Sequence, residues 1–137
     1  MNISFAIDEG IKILKEKSII TASLDAEILM AQAINKDRKF ILLNLNKRVN
    51  KNHLNNFQKL IKNRSRRIPV AYLTNKKFFW NSEFIVSNKT LIPRPDTELI
   101  VENVLNLTKS KNKLNILDIG IGSGCILLSI LKEKQNF

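Results

Sequence analysis

The chain has 137 residues, which suits one ordinary domain and leaves little room for two. Hydrophobic residues make up 44% of it, a share that is typical of a globular protein and excludes a disordered one. No apolar run approaches the roughly 18 residues of a membrane span, and the N-terminus lacks the pattern of a signal peptide. The single cysteine, Cys125, leaves no internal disulfide and fits a reducing cytoplasm.

The net charge of +11 is concentrated in one segment. Residues 61–95 hold eight Lys/Arg against one Asp/Glu, whereas residues 1–60 hold ten against six and residues 96–137 hold five against five. The excess centres on the segment 62–77, through Lys62, Arg64, Arg66, Arg67, Lys76 and Lys77. Such a segment favours an RNA or ribosome contact. A solvated helix end, whose cations complement the helix dipole, explains it equally well.

Four stretches of helical periodicity at the start of the chain predict a small helical bundle of about seventy residues. The predicted starts and stops are a cap at Ser4 for a helix over 4–17, then caps at Thr21 or Ser23, at Asp37 and at Asn50, with Pro69 ending the fourth helix. The short third helix runs through Phe40 and Leu43. The apolar faces of the other three are marked by Ile3, Ile7, Ile11, Leu14, Ala26, Leu29, Met30, Ala33, Leu54, Phe57, Leu60 and Ile61. His53, the single histidine, falls on a polar helix face, so no metal site is predicted.

Two short β-type runs, 77–80 and 83–86, flank Asn81-Ser82 and predict a hairpin. We interpret its aromatic side chains as core rather than as the wall of a substrate site.

The stretch 91–98 follows, where two prolines impose an extended path before a helix that runs from Asp96 to Leu107. Its predicted buried stripe is Ile100, Val101, Val104 and Leu105. Arg94, exposed between the prolines, suits a ligand carboxylate.

The segment 114–131 carries the main functional signal. Its apolar run from Leu114 to Asp118 is of strand type, glycines alternate at 120, 122 and 124, and 125–131 has helical spacing. A strand, a glycine-rich turn and a helix open a nucleotide-type βα unit, in which the free N–H groups of the helix start face a ligand. Asp118 stands at the carboxyl end of the predicted strand, where open α/β sheets bind ligands.

The glycine spacing leaves two other interpretations. A dinucleotide fingerprint needs a glycine at the sixth position, which Cys125 occupies, so a nicotinamide-dependent enzyme is disfavoured. We interpret Cys125 as a small buried residue at a helix start. A turn that only links a strand to a helix is the second alternative. The pattern Asp-x-Gly-x-Gly-x-Gly resembles motif I of class I S-adenosylmethionine-dependent methyltransferases.

Several blocks, in order and with similar gaps, resemble the PrmC/HemK family of release-factor glutamine N5-methyltransferases. They lie at 68–74, 79–80, 84–86, 91–98 and 118–124, and 25–29 resembles the family's N-terminal domain. The block Leu-Ile-Pro-Arg-Pro-Asp-Thr-Glu at 91–98 is the most specific of them. The likeness covers essentially the whole chain.

The resemblance implies an α + α/β architecture in three parts. These are a helical bundle at 1–72 that docks the substrate, a β-hairpin linker at 73–93, and the start of a Rossmann-like domain at 94–137 that binds S-adenosylmethionine. Implied cofactor contacts come from Asp118, Gly120, Ile121, Gly122, Ser123 and Gly124. Arg94, Pro95, Thr97 and Glu98 would border the cofactor and substrate mouth. The implied reaction methylates the glutamine of a release factor's Gly-Gly-Gln loop.

The chain also departs from the family's pattern. It has no Asn-Pro-Pro-Tyr motif and no second-strand acidic residue for the cofactor ribose, so we assign no catalytic residue. The lone apolar run and the stripe 126–131 would have little to pack against. We therefore expect an N-terminal part of such an enzyme, inactive alone, from a truncated or split gene or a longer protein, such as a fusion to a tRNA methyltransferase. The alternative is a non-catalytic helical module that docks a release factor or the ribosome.

Overall fold

The computed structural model of the chain describes residues 1–110 and 115–134. Contacts divide the chain into two units, Met1–Thr74 and Asn75–Phe137. The three-part domain division given above stays a prediction. Within the described ranges, no helix has the length and apolarity that crossing a membrane requires.

The first unit is a helical bundle, as the periodicity predicted. Its helices are α1 (Ile3–Glu16), α2 (Ala22–Ile34), α3 (Arg38–Leu43), α4 (Lys51–Ser65) and α5 (Val70–Thr74). The sequence pattern does not predict the short α5, because it indicates only a helix end at Pro69. The carbonyl of Pro69 instead accepts from the amides of Tyr72 and Leu73, so the proline opens a new helix where its missing N–H costs nothing.

Two of the predicted N-caps are confirmed. The Asp37 carboxylate accepts from the Phe40 amide at 2.7 Å, and the Asn50 side chain accepts from the His53 amide at 2.8 Å. Each of these caps satisfies a backbone donor that the helix itself leaves unpaired.

The predicted cap of α1 was wrong, and that of α2 is confirmed in position but not in its bond. Asn2, not Ser4, caps α1, because its side chain accepts from the Phe5 amide at 2.9 Å. Thr21 does precede α2, but its hydroxyl donates to the Asp25 carboxylate at 2.9 Å and makes no cap bond. Ser23 lies inside the helix. Sequence spacing alone does not distinguish between neighbouring polar residues that are equally able to cap.

The bundle's core lies where α1, α2 and α4 pack together. The fully buried side chains there include Leu14, Leu29 and Met30. Gly10 allows α1 to approach α4 closely, since a Cβ at this position would lie 2.8 Å from Cζ of Phe57. Leu43, at the end of α3, is largely exposed. The helix α3 is too short to bury more than the face that carries Ile41.

An ion pair between Asp25 and Arg64 joins α2 to α4. The Arg64 Nε donates to the Asp25 carboxylate at 2.7 Å, and only 7% of the Asp25 side chain and 17% of the Arg64 side chain are exposed. A second guanidinium nitrogen of Arg64 donates to the Ile68 carbonyl at 3.3 Å. The pair therefore also fixes the turn that leads into α5.

The second unit begins with the predicted hairpin, displaced by one residue. Its strands β1 (Lys76–Phe79) and β2 (Ser82–Ile85) pair antiparallel around Trp80 and Asn81, with Phe79 opposite Ser82. The rings of Phe79 and Phe84 meet edge to face at 6.1 Å between centroids. Both side chains are buried, which agrees with the interpretation of the aromatic residues as core, but that interpretation was wrong for Phe78, which is 68% exposed on the other face of β1.

Two helices complete this unit. A 3₁₀ turn, Pro95–Thr97, leads into α6 (Glu98–Leu107), and α7 (Cys125–Glu133) packs against α6. Neither Asp96 nor Thr97 forms a side-chain cap. Ile100 was predicted inside but is 49% exposed, because α6 turns the face that carries Val101 toward the core.

The Rossmann-like start is not confirmed. Residues 115–118 form no strand, and Leu114 lies outside the described residues. The sheet of the described part contains only β1 and β2, so no neighbour is present to satisfy the backbone of the apolar run. The expectation that the stripe 126–131 has little to pack against was wrong for Ile130, which is buried in the core with Phe79, Phe84 and Val101. Cys125 is buried in the same core, as predicted.

The turn of the hairpin is held by the last turn of α7. The Glu133 carboxylate accepts from the Trp80 indole N–H at 2.7 Å and from the side-chain amide Nδ2 of Asn81 at 3.2 Å. Lys132 donates to the Asn81 carbonyl at 3.0 Å and to the Ser82 hydroxyl at 2.8 Å. Adjacent residues of one helix thus fix both sides of the turn.

We predict that Asp25→Ala lowers the free energy of unfolding by about 3 kcal/mol, because the substitution leaves the Arg64 guanidinium in a mostly buried site without its carboxylate. Urea denaturation measures the change. Glu27→Ala is the matched control, since it breaks the more exposed pair with Arg38 and should cost at most about 1 kcal/mol. Equal losses in the two variants would contradict the role of the buried pair.

Acid should release the turn of the hairpin from α7. Hydrogen bonds from Trp80 and Asn81, with a smaller contribution from the charge of Lys132, hold the pKa of Glu133 below its ordinary value of 4.5. Because the pKa of Glu133 is lower in the folded state than in the unfolded state, the contact stabilises the fold at pH values above the unfolded-state pKa. This stabilisation is lost as the pH falls through the folded-state pKa.

Trp80, the single tryptophan, reports this change by fluorescence. We expect an emission transition with its midpoint below pH 4.5 that is absent from Glu133→Gln. Glu102→Gln, at an exposed position of α6, should retain it. A midpoint at or above the ordinary value would refute the assignment.

Candidate functional site

The glycine loop between residue 118 and α7 has the geometry that its sequence demands. Gly120, Gly122 and Gly124 have φ values of +85°, +55° and +74°, all in the left-handed region that side chains disfavour. The loop closes through a bond from the Gly124 amide to the Ile121 carbonyl at 2.8 Å. Glycine is therefore required at alternate positions by the backbone path itself.

This path leads directly into the N-terminus of α7. Gly124 occupies the N-cap position and offers no side-chain acceptor. The Leu128 amide donates the first hydrogen bond of the helix, to the Gly124 carbonyl at 2.9 Å. The N–H groups of residues 125–127 come before it and have no acceptor within the helix. Together with the positive end of the helix dipole, these donors suit an anionic group or a carbonyl of a ligand.

The space around the loop differs from one glycine to the next. A Cβ built at Gly120 would meet no atom within 4 Å, whereas a Cβ at Gly124 would approach Leu128 Cδ1 at 3.1 Å. The Gly120 end is thus open and the Gly124 end is packed against α7. Ser123 is half-buried and Ile121 is exposed beside them.

Asp118 supplies the polar group at the open end. Its Oδ2 atom is buried and has no hydrogen-bond partner among the described residues. A buried carboxylate oxygen without a donor is costly, and native structures rarely leave one so without a functional or structural reason. This oxygen is placed to accept from a cationic or N–H group.

Together, the loop and Asp118 provide two complementary kinds of contact. The N–H groups at the helix start can donate hydrogen bonds to a ligand. The negatively charged Asp118 carboxylate can accept hydrogen bonds from the same ligand. A ligand that carries both an ammonium and a carboxylate, as an α-amino acid does, matches this donor set. The described residues contain no cluster of His, Cys, Asp and Glu that could hold a metal ion.

The segment before α6 contributes side chains of mixed availability. Arg94 and Pro95 are exposed, and Thr97 is half-buried with its amide bonded to the Arg94 carbonyl at 3.0 Å. Glu98 is already engaged, because its carboxylate accepts from the Trp80 amide at 2.7 Å. Of the residues predicted at the site mouth, Arg94 is the charged one whose side chain has no partner among residues 1–110 and 115–134, and it is exposed.

Part of the basic segment 62–77 is engaged in contacts within the protein, two of which are ion pairs. Arg64 is bound to Asp25, Lys76 pairs with Glu83 at 2.8 Å, and a guanidinium nitrogen of Arg67 donates to the Lys17 carbonyl at 3.3 Å. Lys76 and Lys77 belong to the second unit, the other four residues to the first. The RNA or ribosome contact stays a prediction, now carried in the first unit by Lys62, Arg66 and Arg67, all exposed.

Sequence reasoning missed two features of this unit. One is the Glu98–Trp80 bond, which spans 18 residues. The other is the buried Ser129 hydroxyl on α7, which also lacks a partner among the described residues. The spacing of residues in the sequence does not indicate the Glu98–Trp80 bond. The only sequence signal for Ser129 is a serine within an otherwise apolar helix.

Relatives of known name cover most of the chain. It is 42% identical over 125 residues to the release factor glutamine methyltransferase of Leptospira interrogans, a match that covers 90% of this chain and 44% of the relative. It is 39% identical over 114 residues to the protein of the same name from Shewanella oneidensis, covering 83% and 40%. It is 36% identical over 141 aligned positions to a bifunctional methyltransferase of Rickettsia typhi, covering 90% and 27%.

The chain thus spans less than half the length of each of these relatives. A family model, the PrmC N-terminal domain, matches residues 6–74, which is the helical unit almost from end to end. On this match, and as the sequence blocks indicated, the chain belongs to the PrmC N-terminal domain family.

Proposed function

We propose that this chain is the substrate-docking and cofactor-loop part of an S-adenosylmethionine-dependent methyltransferase that modifies the glutamine of a peptide chain release factor. The observation that carries the proposal is the combination of the family match over 6–74 with an uncapped helix start and an unpartnered Asp118 oxygen in the second unit. Relatives at 39–42% identity bear the name of that activity. A release-factor substrate would place the protein in the cytoplasm.

The residues of the loop fit the amino-acid end of S-adenosylmethionine. Asp118 would accept from the α-ammonium group, and the N–H groups at the start of α7 would donate to the rest of the ligand. The glycines at 120 and 122 let the ligand approach the backbone, since neither residue carries a side chain and no other side chain lies within 4 Å of where their Cβ atoms would be. The bound cofactor supplies an electrophilic methyl group on a sulfonium.

The chain's own contribution is positioning. We assign Asp118, Gly120, Ile121, Gly122, Ser123 and Gly124 to the cofactor. Arg94 is the open cation of the neighbouring segment and could bind a carboxylate of the ligand or substrate. Glu98 acts through structure, because it holds the hairpin turn to the start of α6. Orientation and exclusion of water would supply most of the rate effect.

The apolar surface near the loop supports a role within a larger catalytic unit. Leu117, Ile119 and Leu128 are exposed, although side chains of this kind are usually buried in an α/β sheet. We propose that the remainder of a methyltransferase sheet packs here, as the greater length of the relatives suggests.

A second candidate is a docking module without catalysis. It is favoured by the compactness of the first unit, which has its own apolar core and its own buried ion pair. This unit would bind a release factor whether or not the second unit holds a cofactor.

The cofactor assignment predicts that the 137-residue chain binds S-adenosylhomocysteine saturably in a calorimetric titration. Asp118→Asn should weaken this binding about tenfold or more, because it removes a charge-assisted hydrogen bond worth about 1.5–3 kcal/mol. Glu102→Gln is the matched control, with the same charge change at an exposed position of α6 in the same unit, and should leave binding unchanged.

Two results would contradict the assignment. One is the absence of saturable binding up to about 1 mM ligand, since a Kd of about 1 mM corresponds to a binding free energy of only about 4 kcal/mol. The other is equal binding by Asp118→Asn and the unmodified chain.

The docking assignment predicts that the same chain binds a purified bacterial release factor in a surface-based binding assay. Asp118→Asn should not change this affinity, since we assign the binding surface to the helical unit and Asp118 belongs to the other unit. Loss of release-factor binding in Asp118→Asn would show that docking depends on the cofactor loop and would count against the two-part division. No binding by the unmodified chain would refute docking for both candidate functions.

A further inference from the structure

One corner of the helical unit combines positive charge with exposed leucines. We call residues 36–48 the α3 corner, since they surround that helix. The corner holds five Lys/Arg against one Asp/Glu, and all five cations are exposed. The acidic residue, Asp37, is used as the N-cap of α3. Arg38 is paired with Glu27 at 2.7 Å.

Four cations of the corner therefore have no ion pair within residues 1–110 and 115–134: Lys36, Lys39, Lys47 and Arg48. Two of them converge, because the ammonium groups of Lys36 and Lys47 lie 5.7 Å and 5.2 Å from the centroid of the Phe40 ring. The ring attracts both cations but cancels neither charge. The corner thus concentrates positive potential over a small area.

Apolar side chains lie exposed among these cations. Leu43 is 74% exposed, and Leu42 and Leu45 are 44% and 39% exposed. Single exposed leucines are ordinary, but three within four positions form a cluster that favours a contact with another molecule. Phe5, 55% exposed, follows Ser4, whose amide donates to the Leu45 carbonyl at 2.9 Å.

The backbone of the corner is preformed. The Ile3 amide donates to the Lys47 carbonyl at 3.0 Å, and the Val49 amide donates to the Met1 carbonyl at 3.1 Å. These bonds join the corner to the start of α1, so binding a partner need not first order a loop.

We propose that the α3 corner is a docking surface for an acidic segment of a partner protein that also carries apolar side chains. Charge complementarity selects the acidic partner, and the leucines need apolar contacts that a phosphate backbone does not provide. A protein is favoured over RNA because the Phe40 ring, which could stack on a base, is covered by two ammonium groups. The inference goes beyond the proposed function and requires neither methyl transfer nor cofactor.

The test titrates the isotope-labelled 137-residue chain with a synthetic peptide of glutamates interrupted by leucines, and follows the amide NMR signals. We expect the shifts to be confined to 36–48 and the residues bonded to them. A glutamate-only peptide of the same net charge should bind more weakly, since it cannot cover the leucines. Binding should fall with added salt.

Two variants with matched controls separate the contributions. Leu43→Ser should weaken the peptide about tenfold, whereas Ile20→Ser, at a fully exposed position outside the corner, should not. Lys47→Glu should weaken it about tenfold or more, whereas Lys59→Glu, exposed on α4, should have little effect.

Three outcomes would overturn the proposal. The first is equal weakening by the variants and their controls, which would mean diffuse attraction to a basic protein. The second is tighter binding at the corner by a uridine oligonucleotide, and the third is tighter binding there by phosphatidylglycerol vesicles. Because the cofactor is absent throughout, the result does not depend on the proposed methyltransferase activity.

Discussion

The ion pair between Asp25 and Arg64 is the constraint on which the helical unit depends. Two helices and the turn before α5 meet at one carboxylate and one guanidinium, both mostly removed from water. Desolvating two such charges is costly, and only close geometry with additional hydrogen bonds offsets that cost. The Thr21 hydroxyl and the Ile68 carbonyl supply those bonds. The pair also removes Arg64 from the basic surface, so a residue that suggested nucleic-acid binding contributes instead to internal structure.

The candidate site in the second unit is built mainly from backbone. Three glycines in the left-handed region carry the chain from Asp118 to α7 and leave the first amides of that helix without acceptors. Such a site needs few side chains, because oriented N–H groups and the helix dipole already provide the attraction for a polar ligand. Asp118 adds the one negative charge, on an oxygen with no described partner. Trp80, at the turn of the hairpin, donates hydrogen bonds to Glu98 of α6 and Glu133 of α7. The turn therefore stabilises the helices beside the glycine loop.

The two units differ in how completely they bury their apolar residues. The helical unit encloses a continuous core, and its exposed leucines are concentrated at the α3 corner. In the second unit, Cys125 and Ile130 are buried with the hairpin aromatics, while Leu117 and Ile119 are exposed. Helices and hairpins form from contacts between near neighbours, whereas a strand at 115–118 requires a partner strand. The same apolar composition therefore forms a closed core in one unit and an open surface in the other.

Features that depend on a few neighbouring residues could be read from the sequence. The four main helices, the caps at Asp37 and Asn50, the hairpin and the buried Cys125 followed from periodicity and capping chemistry, and the glycine loop has the backbone that its spacing predicted. The cofactor roles of the loop residues stay predictions. Only the tertiary structure decided that Arg64 is paired with Asp25, 39 residues away, and that Trp80 bonds to Glu133, 53 residues away. The reason is physical: a charged or aromatic side chain has many chemically equivalent partners along the chain, and the packing of the helices selects the one within reach.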